Sequence, residues 1–572
     1  MKGKKIYIFC SMLVLLLILT IIGYYIWQNR NGIQSSSQKT NINIEYSQEE
    51  LTGEWKEYSA KITLSDEKIS VEGSGVTNNG NTIVINSAGT YYITGSISDG
   101  TIQINAGKED EVQLVLDNAS ITSKTTAPIN GIKAKKLTIT LADNSENTIT
   151  DSSNYTEFTD EESKEPDGAI FTKTDLVING SGNLTVNANY EDGIVSKDGL
   201  KIINCNINVN SQDDAIRGKD YVAINGANLN ITSKEDAIKS TNDSDEELGY
   251  IVIDDANITI NAGDDGIHAE HKIVINSGEI NISKSYEGIE SEYIEINGGT
   301  INVVAEDDGI NVAGGNNGTT GRMGENNFSQ NDSSNRKLVI NGGNITVNAT
   351  GDGLDSNGSI YINGGTILVI GPTSGGNGAL DYDKECIVTG GDIIIYGSTG
   401  MWQNPSNTST QYSLTFQVSG KQGDELKLVD EDGNEIASVK TEKTYGGITF
   451  SNSKIQNGKK YTLYVNGNST STLEVNNIVT SDMATNGMGG MNGGRGMENR
   501  NTMNGENQMQ GEKPTNGGKP MQEENTKNSE NSNQGDDFTR GENPISGDKQ
   551  MKGKNGFNME EKMNKDGNMN KQ

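Results

Sequence analysis

The chain has 572 residues, a formal net charge of −32, 32% apolar residues and 5% aromatics, with Gly at 70 and Pro at only 7. It is too poor in apolar residues for one large conventional globule and too regular in them for simple disorder. The acidity argues against a nucleic-acid partner and favours cations, or a ligand reached through cations. Four bases and no acid fall in residues 1–35, while residues 480–572 carry 14 acids and 12 bases, so residues 36–479 hold a net −34.

At the start, Met1–Lys5 is short and basic, and Ile6–Trp27 follows as 22 residues without a charge. That is long enough to cross about 30 Å of hydrocarbon, and Tyr24, Tyr25 and Trp27 sit at its outer end as interfacial aromatics do. The segment reads as a signal anchor that places the body outside the cell. A cleaved signal peptide, giving a secreted protein, is the alternative.

Residues 60–150 show less regular strands (Ile83–Ile85, Val112–Leu116, Leu137–Leu141). From there a phrase of the form Ile-Asn-Gly-Gly-x-Ile-x-Val recurs. Its copies start at Ile178, Ile203, Ile224, Ile253, Ile275, Ile296, Ile340, Ile362 and Val388, and from Ile203 the spacing is 21, 29, 22, 21, 44, 22 and 26 residues. The 44 is two periods and contains Gly314–Asn335, a loop insertion. A period near 22 with three alternating segments predicts a single-stranded parallel β-helix over residues 60–400, with Ile and Val inward and Asn, Thr and Lys outward. Asn179, Asn204, Asn225, Asn276, Asn297, Asn341 and Asn363 are expected to stack at one turn, where Asn tolerates left-handed backbone.

A second phrase, acid-acid-Gly/Ala-Ile, keeps step with the first and stacks into an acidic stripe: Glu191/Asp192, Asp213/Asp214, Glu235/Asp236, Asp264/Asp265, Glu287, Asp307/Asp308 and Asp352. Carboxylates about 5 Å apart repel by roughly 1–3 kcal/mol. The position after each Ile reads Val195, Arg217, Lys239, His268, Glu290, Asn311, Asp355, Asp381. Early coils thus supply their own cations, and later ones add acids. Hard oxygen donors suit Ca²⁺. The metal expectation covers Asp213, Asp214, Asp236, Asp264, Asp265, Glu287, Glu290, Asp307, Asp308, Asp352 and Asp355, centred on the later coils. A solvated acidic face with Asp capping each turn is the competing reading. His268 and His271 read as surface imidazoles without a joint role. Cys205 and Cys386 fall about seven coils, or roughly 35 Å, apart, too far for a disulfide.

Residues 412–478 break the repeat and predict a small antiparallel module with hairpin turns at Glu431–Asn434 and Asn457–Gly458, capping the helix. Residues 480–572 hold 11 of the 15 Met and read as a disordered spacer.

From about Ile62 to Val475 the chain resembles bacterial cell-surface carbohydrate-binding domain proteins with a pectate-lyase-like parallel β-helix. The resemblance rests on Gly75-Val76, Ser87-Ala88-Gly89-Thr90-Tyr91, Gly95–Gly100 and Leu114–Asp117, and on the rungs Asp213–Ile216, Asp264–Ile267 and Asp307–Ile310. It implies right-handed winding of that helix and a surface protein that binds acidic plant cell-wall polysaccharide (polygalacturonate) and cellulose, with Ca²⁺ in the fold. A monomer is expected, and a Lys or Arg held charged amid so many acids disfavours catalysis. Arg217 and Lys239 are candidates to hold uronate carboxylates, and Trp402 and Tyr382 to stack on sugar rings. A Ca²⁺-dependent polysaccharide lyase using Arg217 or Lys239 as base, and a surface adhesin or spacer, are the alternatives.

Overall fold

The structure is a computed structural model that describes residues 42, 44–313 and 335–483. The expected anchor at 6–27, the insertion up to residue 334 and the tail from residue 484 lie outside the described residues. Among the described residues, no helix is long and apolar enough to cross a membrane.

Alternating Ile and Val drive the chain into short strands, and every third strand pairs in parallel with the same register. One coil lays down Asp192–Ser196, Gly199–Ile203 and Asn206–Asn210, and the next Ile216–Gly218, Tyr221–Asn225 and Asn228–Thr232. The pairs Ile194↔Ile216, Leu200↔Val222 and Ile207↔Leu229 join them. Repetition of this step makes an all-β solenoid with three parallel faces: a short-strand face ending at Leu354–Ser356, a middle face ending at Glu385–Val388, and a long-strand face ending at Asp392–Gly397. Ile194, Ile216, Ile238, Ile267, Ile289, Ile310 and Leu354 stack in one buried file, part of a single core running from Ala60 to Ile395. A narrow core fed by every coil explains how so little apolar residue suffices. Cys205 and Cys386 are buried and unpaired.

Antiparallel strands join the solenoid at both ends, at the far end covering the last strand of the long-strand face. At the start, Ser70–Gly73 pairs with Ala60–Leu64, and Val76–Asn79 with Thr82–Ile85. At the end, Tyr445–Ser451 pairs antiparallel with both Asp392–Gly397 and Ser413–Gly420. A four-stranded antiparallel sheet follows from Glu425–Asp430, Glu435–Lys440, Lys460–Val465 and Asn468–Glu474, with its own core around Phe416, Phe450 and Leu428. The turn Glu431–Asn434 joins the paired strands Glu425–Asp430 and Glu435–Lys440. Asn457–Gly458, expected as a hairpin, instead links two different sheets, and the hairpin turn falls at Asn466–Gly467. Both dipeptides carry the same local preference, and only the packing of the sheets separates them.

The Asn file also differs from expectation. Side-chain amides bond in sequence along Asp254, Asn276, Asn297, Asn341, Asn363 and Thr389 at 2.8–2.9 Å. Asn179 and Asn204 are diverted to a helix, α1 (Gln48–Thr52), through the carbonyls of Glu50 and Leu51, both at 2.9 Å. In the register, Ile203 rather than Asn204 occupies the file, between Asn179 and Asn225. Of the expected Asn, Asn204 is itself left-handed with φ of 50°, while in the later coils that conformation belongs to Gly two residues on: Gly299, Gly343, Gly365 and Gly391 have φ of 93°, 101°, 94° and 99°.

Candidate functional site

The short-strand face carries the acid stripe, resolved into three files. The innermost holds Asp192, Asp214, Asp236, Asp265, Glu287, Asp308 and Asp352. In it one carboxylate oxygen accepts a backbone N–H from the next coil: Asp214 to Asp192 at 3.1 Å, Asp236 to Asp214 at 3.2 Å, Asp265 to Asp236 at 2.9 Å, and Asp352 to Asp308 at 2.6 Å. Glu191, Asp213, Glu235, Asp264, Tyr286 and Asp307 form the outer file at the turn, joined by backbone bonds such as Asp213 N–H to Glu191 and Asp307 N–H to Tyr286. The third file is in strict register: Val195, Arg217, Lys239, His268, Glu290, Asn311, Asp355. A bridge pairing Leu354 with Leu380 continues it to Asp381.

The second oxygen of each early inner acid faces this third file. Arg217 is clamped by Asp192 and by Asp167 at 2.9 Å, with Asp214 at 3.7 Å. Lys239 lies 2.6 Å from Asp236 and 3.4 Å from Asp214. Against the cost of burial, these carboxylates hold both cations charged. The two residues expected to meet uronates therefore already have carboxylate partners inside the chain. Asp192, Asp214, Asp236 and Asp265 are buried, so the early part of the inner file is not the solvated face of the competing reading, while Glu287, Asp308 and Asp352 are half-buried.

His268 corrects the expectation of a surface imidazole. Its Nδ1 lies 2.8 Å from Asp265 and 3.1 Å from Glu290. Despite burial, these two acids raise its pKa well above the ordinary value, and His268 in turn holds the Glu290 carboxyl below the usual range. The signal was its place after Ile267, the position of Arg217 and Lys239 in their coils. His271 pairs separately with Glu292 at 3.1 Å.

Beyond His268 the third file supplies no cation. Burial first, then like-charge neighbours, pushes Glu287, Asp308 and Asp355 up to about 8 and Asp352 up to about 6. Asn311 donates to Glu287 at 2.7 Å, while its own buried Oδ1 has no hydrogen-bond partner. Ligand atoms lie within 4.8 Å of one another in four groups: Asp192/Asp213/Asp214, Asp236/Asp265/His268, Asp265/Glu287/Glu290 and Asp352/Asp355/Asp381. The first two adjoin Arg217 and Lys239. The last two have no Lys or Arg ion pair among the described residues, and of these two Asp352/Asp355/Asp381 is the one without a bonded imidazole. Asp264 and Asp307 stand in the outer file and enter none of these groups.

Tyr382 and Trp402 are packed: the Tyr382 hydroxyl donates to the Asn404 carbonyl at 2.7 Å, and Trp402 Nε1 to the Asn404 side chain at 3.0 Å. Both are half-buried, whereas Trp55 and Tyr58 are exposed at 41% and 47%.

Residues 79–332 match the family model described as carbohydrate-binding domain-containing protein. A carbohydrate-binding domain-containing protein of Acetivibrio thermocellus is 38% identical over 154 residues, 27% of this chain and 54% of that protein. The chain thus spans about half the length of that relative. A solved structure, of the polysaccharide lyase-like protein from C. thermocellum as a gadolinium derivative, is 32% identical over 42% of this chain and 93% of that chain, with a TM-score of 0.36.

Proposed function

We propose that this protein is an extracellular, non-catalytic module that binds acidic plant cell-wall polysaccharide with the help of Ca²⁺, anchored through residues 6–27. One observation carries the reading: among the described residues, the acid files meet Arg217, Lys239 and His268 in the early coils, whereas the same file continues with Glu290, Asn311 and Asp355 in the later ones. The donors there fit a hard cation, being carboxylate oxygens within 4.8 Å together with the unpartnered amide oxygen of Asn311. Asp352, Asp355 and Asp381, with Glu287, Glu290 and Asp308 nearby, are the residues to hold it. Bound Ca²⁺ supplies positive charge that a uronate carboxylate can share, which a net −34 body otherwise repels. The general handedness of parallel crossovers supports right-handed winding of the solenoid.

The lyase alternative needs a neutral base near working pH. Arg217 and Lys239 are both held protonated by their carboxylates, which favours binding over catalysis. Incubation of the full-length chain with polygalacturonate, with Ca²⁺ or EDTA, separates the readings. Retention that is lost in EDTA, with no rise in ultraviolet absorbance from unsaturated uronate, is expected. A rising absorbance abolished by Lys239→Ala would make the protein a lyase, and no retention under either condition would leave a surface spacer.

A further inference from the structure

Away from the acid stripe, the first described segment folds back on the solenoid. Ser47 and Glu50 form a capping box at α1, and Gly53 ends the helix in a left-handed conformation (φ 66°). Glu50 is buried and bridged by Lys136 at 3.3 Å and Lys201 at 3.2 Å, and Lys201 also donates to the Glu45 carbonyl at 2.7 Å. These contacts fix the course of the chain into Glu54–Tyr58, and an open cleft of about 530 Å³ results between that segment and the early coils. Its floor is one outward file, Thr90, Gln113 and Thr138, in register on three successive coils. Glu54, Trp55, Lys56 and Glu111 line its sides.

Trp55 is 41% exposed, an unusual state for the largest apolar side chain, and Tyr58 is 47% exposed. Both lean on the Tyr92 ring, with centroids 5.7 Å away in each case. Tyr92 is itself anchored through its hydroxyl to Asp117. Trp55 thus lines the cleft beside a floor of hydroxyl and amide groups, and through Tyr92 the exposed Tyr58 ring extends this aromatic surface outside the cleft.

We infer that this cleft is a second glycan site, taking a neutral hexose chain whose apolar ring faces lie on Trp55 and Tyr58 and whose hydroxyls meet Gln113, Thr138 and Glu54. A sugar ring has an apolar face and a rim of hydroxyls, which is the complement of this pairing of exposed aromatics with fixed polar groups. Charge selects the neutral class. The lining holds Glu49, Glu50, Glu54 and Glu111 against Lys56 and Lys136, so it offers a uronate no net attraction. The rungs of the floor repeat at about 4.8 Å, close to the length of one sugar ring. Trp55 and Tyr58 precede the residues that match the family model. The inference rests on the proposed carbohydrate-binding reading, but it uses residues remote from the acid files.

Titration calorimetry of the full-length chain with cellohexaose, in EDTA to silence any cation site, tests it. Measurable binding by the wild type is expected, falling at least tenfold in Trp55→Ala and in Tyr58→Ala and partly recovering in Trp55→Phe. Ca²⁺-dependent retention on polygalacturonate should be unchanged in all three, which also reports that they fold. Absence of cellohexaose binding by the wild type, or binding indifferent to Trp55→Ala, overturns the inference. Loss of polygalacturonate retention in the wild type, with Trp55-dependent cellohexaose binding intact, would sink the Ca²⁺ reading and leave this one standing.

Discussion

At the scale of single residues, the inner carboxylates of the early coils do two jobs with two oxygens. In Asp192, Asp214 and Asp236 one oxygen accepts a backbone N–H from the next coil, and the other meets Arg217 or Lys239. Removing a buried partner leaves the opposite charge uncompensated, which costs more than the pair itself contributes. Arg217→Met should therefore lower unfolding free energy by about 3 kcal/mol in urea melts, and adding Asp192→Asn should recover part of it. A loss below about 1 kcal/mol would show that the clamp is as weak as a surface ion pair. The later coils predict the opposite sign. Asp355 sits among Asp308, Asp352 and Asp381 with its carboxyl pushed up to about 8 by burial and by those neighbours. Asp355→Asn should raise the thermal midpoint in EDTA at pH 8 and remove most of the gain produced by Ca²⁺. A merely solvated acid would do neither when replaced.

At the scale of the element, the Ile-Asn-Gly-Gly phrase has a stereochemical origin. A Cβ on Gly343 would lie 3.0 Å from the Gly299 carbonyl oxygen, and one on Gly365 2.8 Å from that of Gly343. Positive φ and close stacking together exclude a side chain at each rung. Gly343→Ala, in the middle of the stack, should cost about 1–3 kcal/mol, read as a lowered denaturation midpoint; a neutral effect would mean the corner relaxes freely. The coil was legible because most periods repeat the same demands: a buried Ile file, a Gly at the corner (Asn204 and Asp255 take its left-handed place in two coils), an acid before the short strand. The position after Ile likewise exposed the change from cations to acids along the third file. Hidden were features that no period repeats. The bond from Asn179 to Glu50 spans 129 residues and that from Lys201 to Glu45 spans 156, so nothing local announced that residues 45–58 line the early coils. His268 was misjudged because its two carboxylate partners come from its own coil and the next, which pairwise spacing along one strand does not reveal. Trp402 and Tyr382 were chosen by residue type alone, and their polar tips turned out to be tied to Asn404.

At the scale of the whole molecule, the files make stability a function of pH and of cations. Glu287, Asp308 and Asp355 titrate near 8 in the folded chain and near 4 when unfolded. Between those values the folded state binds more protons than the unfolded state, so unfolding free energy falls as pH rises. His268 acts in the same direction: its raised pKa stabilises the fold below the unfolded value near 6.5 and ceases to do so as pH climbs through the folded one. The groups held low, Asp167 and Glu290, lose their contribution only as pH falls through their folded values, which places the optimum on the mildly acidic side. In EDTA the thermal midpoint should therefore drop by at least about 5 °C between pH 5.5 and 8.5. On the proposed reading Ca²⁺ would bind the ionised folded form, so its stabilisation should grow over the same interval and cancel most of the drop. Calorimetric scans of the full-length chain across that range, with and without Ca²⁺, measure both effects together. A flat profile in EDTA would mean that the later acids are ionised without help, and the case for a cation among them would go with it.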